Sequence, residues 1–246
     1  MLRVLDLFAG IGGFSLGLER AGGFQTVAFC EFDPYCRQVL ARHWPGVPIF
    51  HDVRELDGER FRGAIDVVCG GFPCQDLSVA GRQAGIDAER SGLWSHLARI
   101  IGEVAPRYAV VENVPALLSG DRGRWFGRVL GDLAEVGYDA EWHCIPASHV
   151  GAHHRSDRVW IIAYPNRGRL KGRPKCDSEQ WEGKHPQSRH DPFGCGVDGW
   201  WDAEPDVGRV ADGVPMRVDR LRALGNAVVP QVVEVIGRSI LRLESR

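Results

Sequence analysis

The sequence predicts an α/β protein with a Rossmann-like, mostly parallel sheet, helices on both faces and a small irregular lobe. Three observations predict it. Short apolar runs alternate with stretches of helical spacing over the first 163 residues, which is typical of a parallel sheet covered on both sides. The first run leads into a glycine-rich turn and then a helix. From residue 165 the periodicity is lost, and it returns only near residue 218.

The individual strands and helices are predicted from local patterns of apolar residues, glycine and proline. The predicted strands lie at residues 3–8, 25–31, 49–50, 65–69, 108–111 and 159–163. The run at 65–69 is predominantly apolar, as expected of a strand buried on both faces. The predicted helices lie at residues 14–21, 34–44, 93–104, 125–136 and from 230 onward. Glycines directly follow two of them, and Pro34 suits a first helical turn.

Composition restricts the class of protein. Of the 246 residues, 44% are hydrophobic and 25% charged, as in soluble globular proteins. The net charge of −2 gives no overall basic signal, although a local basic face is enough to bind nucleic acid. No apolar run approaches the roughly 18 residues of a membrane helix, and the first residues lack the layout of a signal peptide. The seven cysteines favour reduced thiols, so we expect a cytoplasmic protein without membrane contact.

The stretch DLFAGIGGF at residues 6–14 places a glycine turn between a strand and a helix. Open α/β sheets bind nucleotides at such turns, because glycine lets the backbone approach a ligand closely. Alone, the motif is equally typical of a plain tight turn. Glu31 ends the second predicted strand, where an acidic residue can bind ribose hydroxyls. Asp52 follows the third, where it can meet an adenine amino group, and together these strand ends predict an adenosine-containing cofactor.

The stretch GGFPCQDLS at residues 70–78 places Cys74 at the same sheet edge. Pro73 restricts the backbone there, so the turn should be rigid. Glu112 ends the fifth predicted strand and should lie near Cys74. A lone cysteine is usually a small buried apolar residue, but a thiol and a proton-donating carboxyl beside a cofactor suit addition to an electron-poor ring. A hydrolase is not indicated, because a thiol and a carboxyl do not form the nucleophile–base pair of a hydrolase.

Taken together, these segments resemble the cytosine-C5 DNA methyltransferases of bacteria and phages. The resemblance rests on DLFAGIGGF, the glutamate at 31, GGFPCQDLS, ENV at 112–114, RSDRVW at 155–160 and RALGNAVVP at 222–230, which occur in the family's order. It covers roughly residues 2–163 and 213–240. It implies transfer of a methyl group from S-adenosyl-L-methionine to C5 of a cytosine flipped out of double-stranded DNA.

The resemblance also implies roles for individual residues. Cys74 attacks C6 of the base, Glu112 holds and protonates the N3 side, and Arg158 positions the base. The implied cofactor-binding residues are Phe8, Gly10, Gly12, Glu31, Phe32, Asp52, Pro73 and Asn226. The implied DNA-binding residues are Ser78, Arg82, Arg90 and Arg155. Residues 76–92 resemble the family's mobile active-site loop, whose arginines can meet phosphate.

The sequence departs from the family pattern in two places. Where the family has Gln-x-Arg-x-Arg, His154 and Ser156 replace the glutamine and the first arginine, and Arg158 matches the second. The region at 165–217 is short for a target-recognition domain. Such regions often carry threonines, yet Thr26 is the sole threonine of the chain. We therefore expect sequence recognition to be reduced or unusual.

The resemblance divides the chain into three parts. Residues 1–164 form the S-adenosylmethionine-binding catalytic domain, 165–217 a small target-recognition lobe, and 218–246 a segment and helix that return to the catalytic domain. The basic run at 167–175 can hold phosphates or form a solvated loop. No metal is predicted, because the lobe's cysteines and histidines (Cys176, His185, His190 and Cys195) lack the close cysteine pair of zinc fingers. We expect a monomer whose partners are double-stranded DNA and a cognate restriction endonuclease.

Two other functions remain open at this stage. A transfer-RNA cytosine-C5 methyltransferase would share the catalytic core, although no Cys-Phe-Thr segment follows the catalytic region. A catalytically weak nucleic-acid-binding relative would agree with Ser156 and the short lobe. An adenine amino-methyltransferase is disfavoured, because FDPY at 32–35 lacks a second proline.

Overall fold

The computed structural model describes residues 1–72, 92–154, 156–166 and 216–245. Its strands are β1 (Leu2–Leu7), β2 (Phe24–Cys30), β3 (Ile49–Phe50), β4 (Val67–Gly71), β5 (Tyr108–Asn113), β6 (Tyr138–Ile145) and β7 (Arg158–Pro165). Its α-helices are α1 (Gly13–Arg20), α2 (Pro34–His43), α3 (Leu93–Val104), α4 (Ala116–Ser119), α5 (Arg124–Glu135), α6 (Arg217–Gly225) and α7 (Pro230–Glu244). Apart from β6, α4 and α6, each of these has a counterpart among the elements predicted from the sequence.

The described strands form one seven-stranded sheet in the order β3-β2-β1-β4-β5-β7-β6. Strands β1 to β5 pair in parallel, whereas β7 runs antiparallel between β5 and β6. The predicted mostly parallel sheet is thereby confirmed. The chain order reverses between β1 and β4, and open α/β sheets bind ligands outside the carboxyl ends of the strands at such a point.

Two details of the sheet differ from the prediction. Strand β6 is an edge strand in which Tyr138 alone is buried. It was not predicted, although its apolar and polar residues alternate from Tyr138 to Cys144, as is typical of a half-buried strand. Strand β4 occupies Val67–Gly71 rather than residues 65–69. Asp66 lies before that strand, where its carboxylate accepts a hydrogen bond from the backbone N–H of Arg3 at 2.9 Å.

The central strands bury side chains on both faces of the sheet. Leu5 and Val68 belong to the apolar core that includes residues of α3 and α5. Val4 and Val67 belong to the opposite core, which includes residues of α1 and α7. Each of these four side chains is at most 1% exposed, which corresponds to about 1.5–3 kcal/mol per side chain relative to full exposure. Burial on both faces explains why these strands are nearly continuous apolar runs.

Helix α7 lies against α1 at a distance that only glycine allows. An added Cβ on Gly17 of α1 would lie 2.5 Å from the Cβ of Val233 in α7. Gly237 of α7 is equally crowded on the other side of the interface. At its far end, Glu244 accepts a hydrogen bond from the hydroxyl of Tyr108 at 2.7 Å. Since α1 begins at the glycine turn, α7 fixes the position of that turn against the sheet.

The lobe predicted at residues 165–217 lies almost wholly outside the described residues, and so do its cysteines and histidines. No helix within the described ranges is both long and apolar enough to cross a bilayer. In the same part of the chain, no group of three or more His, Cys, Asp or Glu side chains is placed to hold a metal ion.

Candidate active site

The turn between β1 and α1 uses backbone conformations that favour glycine. Gly10 and Gly12 have φ of 55° and 88°, in the left-handed region that glycine adopts without cost. An added Cβ on Gly12 would lie 2.5 Å from the ring of Trp44, whereas one on Gly10 would meet no atom of the described residues within 4 Å. Phe8 also has a positive φ, 53°, which is uncommon for a large side chain. The turn is therefore closely packed at Gly12 and open beside Gly10.

Glu31, immediately after β2, connects that strand end to the glycine turn. Its Oε2 accepts a hydrogen bond from the backbone N–H of Gly10 at 2.7 Å, and its Oε1 accepts one from the backbone N–H of Asp33 at 2.8 Å. Burial raises the pKa of Glu31, and these two hydrogen bonds act in the opposite direction. Each carboxylate oxygen has a second acceptor position. Glu31 can therefore fix the turn and still accept hydrogen bonds from ligand hydroxyls.

Phe32 and Asp52, two of the implied cofactor-binding residues, both contact Arg54. Phe32 is 69% exposed, and the Arg54 guanidinium carbon lies 6.0 Å from its ring centroid. The same guanidinium donates to both carboxylate oxygens of Asp52, at 2.9 Å to Oδ1 and 2.6 Å to Oδ2. Side-chain hydrogen bonding from Arg54 lowers the pKa of Asp52. Arg54 was not predicted as a site residue; its one sequence signal is its position two residues after Asp52.

These residues fit the adenosine-containing cofactor predicted from the sequence. The exposed Phe32 ring offers a flat apolar face for stacking, and Glu31 retains acceptor positions for ribose hydroxyls. Within the part of the chain that the structure describes, an added Cβ on Gly10 meets nothing within 4 Å, which leaves room for a ligand at the carboxyl end of β1. All three features lie at the carboxyl ends of the parallel strands, where the sequence predicted the cofactor site.

Asp6 is a buried carboxyl group beneath the same turn. Ser15 donates to its Oδ2 from the hydroxyl at 2.7 Å and from the backbone N–H at 3.2 Å. Burial raises the pKa of Asp6 to about 7, although hydrogen bonds from Ser15 and Cys69 lower it. Its Oδ1 has no hydrogen-bond partner among the described residues. The sequence signal for this residue was a single carboxylate in the otherwise apolar end of strand β1.

The second group of site residues lies at the ends of β4, β5 and β7. Arg158 Nε lies 2.7 Å from Oε1 of Glu112, whose side chain is 13% exposed. An added Cβ on Gly71, which faces Glu112 across the β4–β5 pairing, would lie 2.7 Å from Glu112 Oε2. Burial raises the pKa of Glu112 to about 7, and the charge of Arg158 lowers it. Glu112 is therefore a carboxyl group that exchanges its proton near neutral pH.

Asn113 connects the end of β5 to the segment that follows β4. Its Nδ2 donates to the backbone carbonyl of Phe72 at 3.3 Å, and its Oδ1 accepts from the backbone N–H of Val114 at 2.8 Å. Phe72 is the last described residue before Pro73 and Cys74, which lie outside the described residues. The amide of Asn113 thus fixes the point at which the chain leaves the sheet, close to Glu112.

Asn226 is the C-terminal capping residue of α6, and its backbone N–H donates to the carbonyl of Arg222 at 3.1 Å. Two residues later, Val228 packs against Gly13, where an added Cβ would lie 2.8 Å from Val228 Cγ2. The segment after α6 therefore returns to the first residue of α1, beside the glycine turn. The four residues predicted to bind DNA all lie outside the described residues: Ser78, Arg82, Arg90 and Arg155.

The structure thus brings the described site residues together in two groups at one edge of the sheet. The first group is Phe8, Gly10, Gly12, Glu31, Phe32 and Asp52. The second group is Glu112 and Arg158. Next to the second group, Ser156 has a φ of 36°, so the residue that stands in the place of the family's first arginine has a left-handed backbone that L residues rarely adopt.

The chain is similar to known methyltransferases in family and in sequence. The family model of C-5 cytosine-specific DNA methylases matches residues 2–192. The Type II methyltransferase M2.BsuMI of Bacillus subtilis is 39% identical over 166 residues, which cover 66% of this chain and 42% of the relative. M.Eco47II of Escherichia coli, also a Type II methyltransferase, is 34% identical over 66% of this chain and 39% of its own. The matched region therefore spans about two fifths of these relatives.

Solved structures with the same fold include one relative of moderate sequence identity. A prophage-encoded Escherichia coli protein, assigned as a DNA modification methyltransferase, superposes with a TM-score of 0.57 at 29% identity, covering 67% of this chain and 47% of its own. Spodoptera frugiperda DNMT2 superposes with a TM-score of 0.58 over 72% of this chain and 54% of its own. Its 18% identity supports likeness of fold alone.

Proposed function

Because the chain belongs to the family of C-5 cytosine-specific DNA methylases, we propose that it methylates C5 of a cytosine flipped out of double-stranded DNA. The methyl donor in this proposal is S-adenosyl-L-methionine, and the base is held during transfer by a covalent bond between Cys74 and C6. The Type II methyltransferases among its relatives support DNA as the substrate.

The observation that carries this proposal is the ion pair between the mostly buried Glu112 and the partly buried Arg158. Glu112 has a pKa raised to about 7 and lies opposite Gly71, three residues before Cys74. A carboxyl group with a pKa near neutral can donate a proton and take it back at physiological pH. This is the property required beside a pyrimidine ring that is attacked by a thiolate.

Each step of the proposed reaction requires a specific group of this chain. The Cys74 thiolate adds to C6, and N3 of the ring receives a proton from the Glu112 carboxyl as the C5–C6 double bond is lost. Arg158 donates hydrogen bonds that orient Glu112 and the base. When bound, S-adenosylmethionine supplies the methyl group that C5 receives. N3 returns its proton to Glu112, the C5 proton passes to water, and the departure of the Cys74 thiolate restores the C5–C6 double bond.

The first group of site residues holds the cofactor in this proposal. Glu31 accepts hydrogen bonds from the ribose, Phe32 packs on adenine, and Asp52 accepts from the adenine amino group. Phe8, Gly10, Gly12, Pro73 and Asn226 complete the site. The open space beside Gly10 and the exposed Phe32 ring support this assignment.

DNA contacts in this proposal come from Ser78, Arg82, Arg90 and Arg155, whose hydroxyl and guanidinium groups suit phosphate. The base must leave the duplex because its C6 atom is otherwise stacked inside; methyltransferases are among the enzymes for which base flipping is known. The lobe at 165–217 would recognise the target sequence. We also propose that the protein is a cytoplasmic monomer. The Type II methyltransferases among its relatives support a cognate restriction endonuclease as its partner.

The test is covalent trapping on DNA that contains 5-fluorocytosine. Fluorine at C5 prevents the final proton loss, so the protein incubated with this duplex and S-adenosylmethionine should remain joined to DNA on a denaturing gel. Cys74→Ala should give no adduct, whereas Cys144→Ala, which changes an exposed cysteine of β6, should give as much as wild type. Absence of an adduct with the intact protein would overturn the mechanism. An adduct formed with transfer RNA but not with DNA would identify the other substrate class.

A further inference from the structure

An ion pair joins α6 to the turn between β2 and α2. Arg222 Nη2 lies 2.6 Å from Asp33 Oδ2, although the two residues are 189 positions apart in the chain. The same guanidinium nitrogen also lies 3.1 Å from Asp219 Oδ1, within α6 itself. Arg222 therefore connects a late helix of the chain to the strand end that carries Glu31 and Phe32.

Asp33 is a rigid point of attachment. Its backbone N–H donates to Glu31 Oε1 at 2.8 Å. Its Oδ1 caps α2 by accepting from the backbone N–H groups of Tyr35 and Cys36, at 2.8 and 3.2 Å. The other carboxylate oxygen, Oδ2, is the one that Arg222 contacts. The ion pair is thus directly coupled to the carboxylate that we assign to the cofactor ribose.

The other end of α6 is attached at the glycine turn. After Asn226 ends the helix, Val228 packs on Gly13, the first residue of α1. Helix α6 therefore spans the gap between the start of α1 and the start of α2. Helix α1 follows β1 and helix α2 follows β2, and the ends of these two strands carry the proposed cofactor site.

Apolar burial contributes little to holding α6 against the described part of the chain. Ala223 is its one fully buried residue. Val218 is 75% exposed, and Leu221 and Leu224 are 37% and 40% exposed. A helix with so small a buried face depends on its polar attachments and its covalent ends for position.

We propose that Asp33 and Arg222 are positioning residues that hold α6 over the edge of the cofactor site and thereby strengthen cofactor binding. The inference rests on the proposed function, because it takes S-adenosylmethionine as the ligand. Loss of the ion pair frees one end of α6, so the bound cofactor leaves faster. Glu112 lies at the end of another strand, β5, so the reaction assigned to Glu112 and Cys74 should not change.

The chain offers variants that separate the ion pair from the helix cap. Asp33→Asn removes the charge but preserves capping, because asparagine and aspartate cap helices about equally well. Arg222→Gln removes the other charge, and Arg222→Lys restores it. Arg238→Gln breaks a comparable exposed ion pair, between Arg238 and Glu234 within α7, and is the matched control. The double variant Asp33→Asn/Arg222→Gln tests whether the two effects share one cause.

The measurement is calorimetric titration of each purified protein with S-adenosylmethionine and with S-adenosylhomocysteine. Arg222 is 55% exposed, so the expected weakening is modest, about two- to fivefold in Kd for each single variant. The double variant should be no weaker than the weaker single variant, and Arg222→Lys should recover part of the loss. The difference from wild type should shrink between about 50 mM and 500 mM salt, because exposed charges are screened.

Steady-state kinetics supply a readout that loss of folding would not reproduce. The variants should raise KM for the cofactor and leave kcat at saturation unchanged. Equal Kd values for wild type and all variants would overturn the role of the ion pair while leaving the proposed function intact. Failure of the wild type to bind either ligand would instead overturn both. A fall in kcat without a change in Kd would show that the pair acts on the chemical step and not on binding.

Discussion

Two glutamates at the same edge of the sheet are held in different ways. Glu31 accepts hydrogen bonds from two backbone N–H groups, that of Gly10 in the glycine turn and that of Asp33, the residue that caps α2. Glu112 is buried against Gly71, and a single guanidinium, that of Arg158, is the partner described for it. Backbone donors cannot move or lose a proton, so Glu31 is a fixed acceptor. A mostly buried carboxyl with one charged partner can change protonation, so Glu112 suits proton transfer.

The sharpest test of this comparison is Glu112→Gln. The amide keeps the shape of the side chain but cannot donate the proton that N3 requires. We expect kcat to fall about 10²–10⁴-fold, the usual contribution of a general acid. Cofactor affinity should stay as in wild type. Single-turnover methyl transfer to duplex DNA measures the first quantity and calorimetry the second; an unchanged kcat would contradict the role of Glu112.

The opposite pattern is expected for Glu31→Gln. One amide oxygen can replace only one of the two acceptor positions, and the amide nitrogen would face a backbone N–H. Hydrogen bonds to charged groups contribute about 1.5–3 kcal/mol, so cofactor Kd should rise about ten- to hundredfold. Methyl transfer at saturating cofactor should remain close to the wild-type rate. If kcat falls while Kd is preserved, the distinction between the two glutamates is wrong.

Gly71→Ala perturbs Glu112 without changing its chemistry. The added Cβ would lie 2.7 Å from Glu112 Oε2, so the carboxyl must shift by several tenths of an ångström. Small displacements of a reacting group are costly, and we expect kcat to fall about tenfold. Gly131→Ala is the control, because its Cβ meets nothing within 4 Å in α5 and alanine favours helix. Equal rates for both variants would show that Gly71 is not needed to place Glu112.

The smallest effect expected concerns the buried carboxyl of Asp6. Its pKa is raised from 3.8 to about 7, so the folded protein keeps this proton over a range in which the unfolded chain releases it. The stabilisation is full below about pH 4 and is lost as pH rises through about 7. Relative to Asp6→Asn, the wild type should lose about 1 kcal/mol of unfolding free energy between pH 6 and pH 7. Urea unfolding at both pH values measures it, and a constant difference would contradict the raised pKa.

The sequence predicted the parts of this fold that are buried. Strands β1 and β5 are apolar runs because both faces of the sheet are covered, and the helices α1, α3 and α5 show apolar spacing for the same reason. Strand β6 was overlooked, although its apolar and polar residues alternate from Tyr138 to Cys144. Helix α6 was not predicted because it is largely exposed. An exposed element needs no apolar pattern, so its sequence gives little sign of its structure.

The site shows the same division. Glu31 and Glu112 could be placed at strand ends, because the carboxyl ends of parallel strands share one edge. The contacts that hold them could not be predicted. Whether Arg54 turns toward Asp52, or Arg222 reaches Asp33, depends on side-chain rotamers and on which distant segments meet. The local pattern of apolar residues predicts neither the rotamers nor the contacts between distant segments.

The packing of α7 on α1 also bears on how the protein is made. α7 comes after every other described element in the chain, yet it covers Phe14 and Leu18 of α1 in the same core. During synthesis on the ribosome, the side chains of Phe14 and Leu18 therefore stay exposed to solvent until α7 has emerged. Contacts between distant segments form slowly, and exposed apolar surface favours aggregation in the interval. Translation speed and chaperone access should therefore decide how much of this protein reaches its active form.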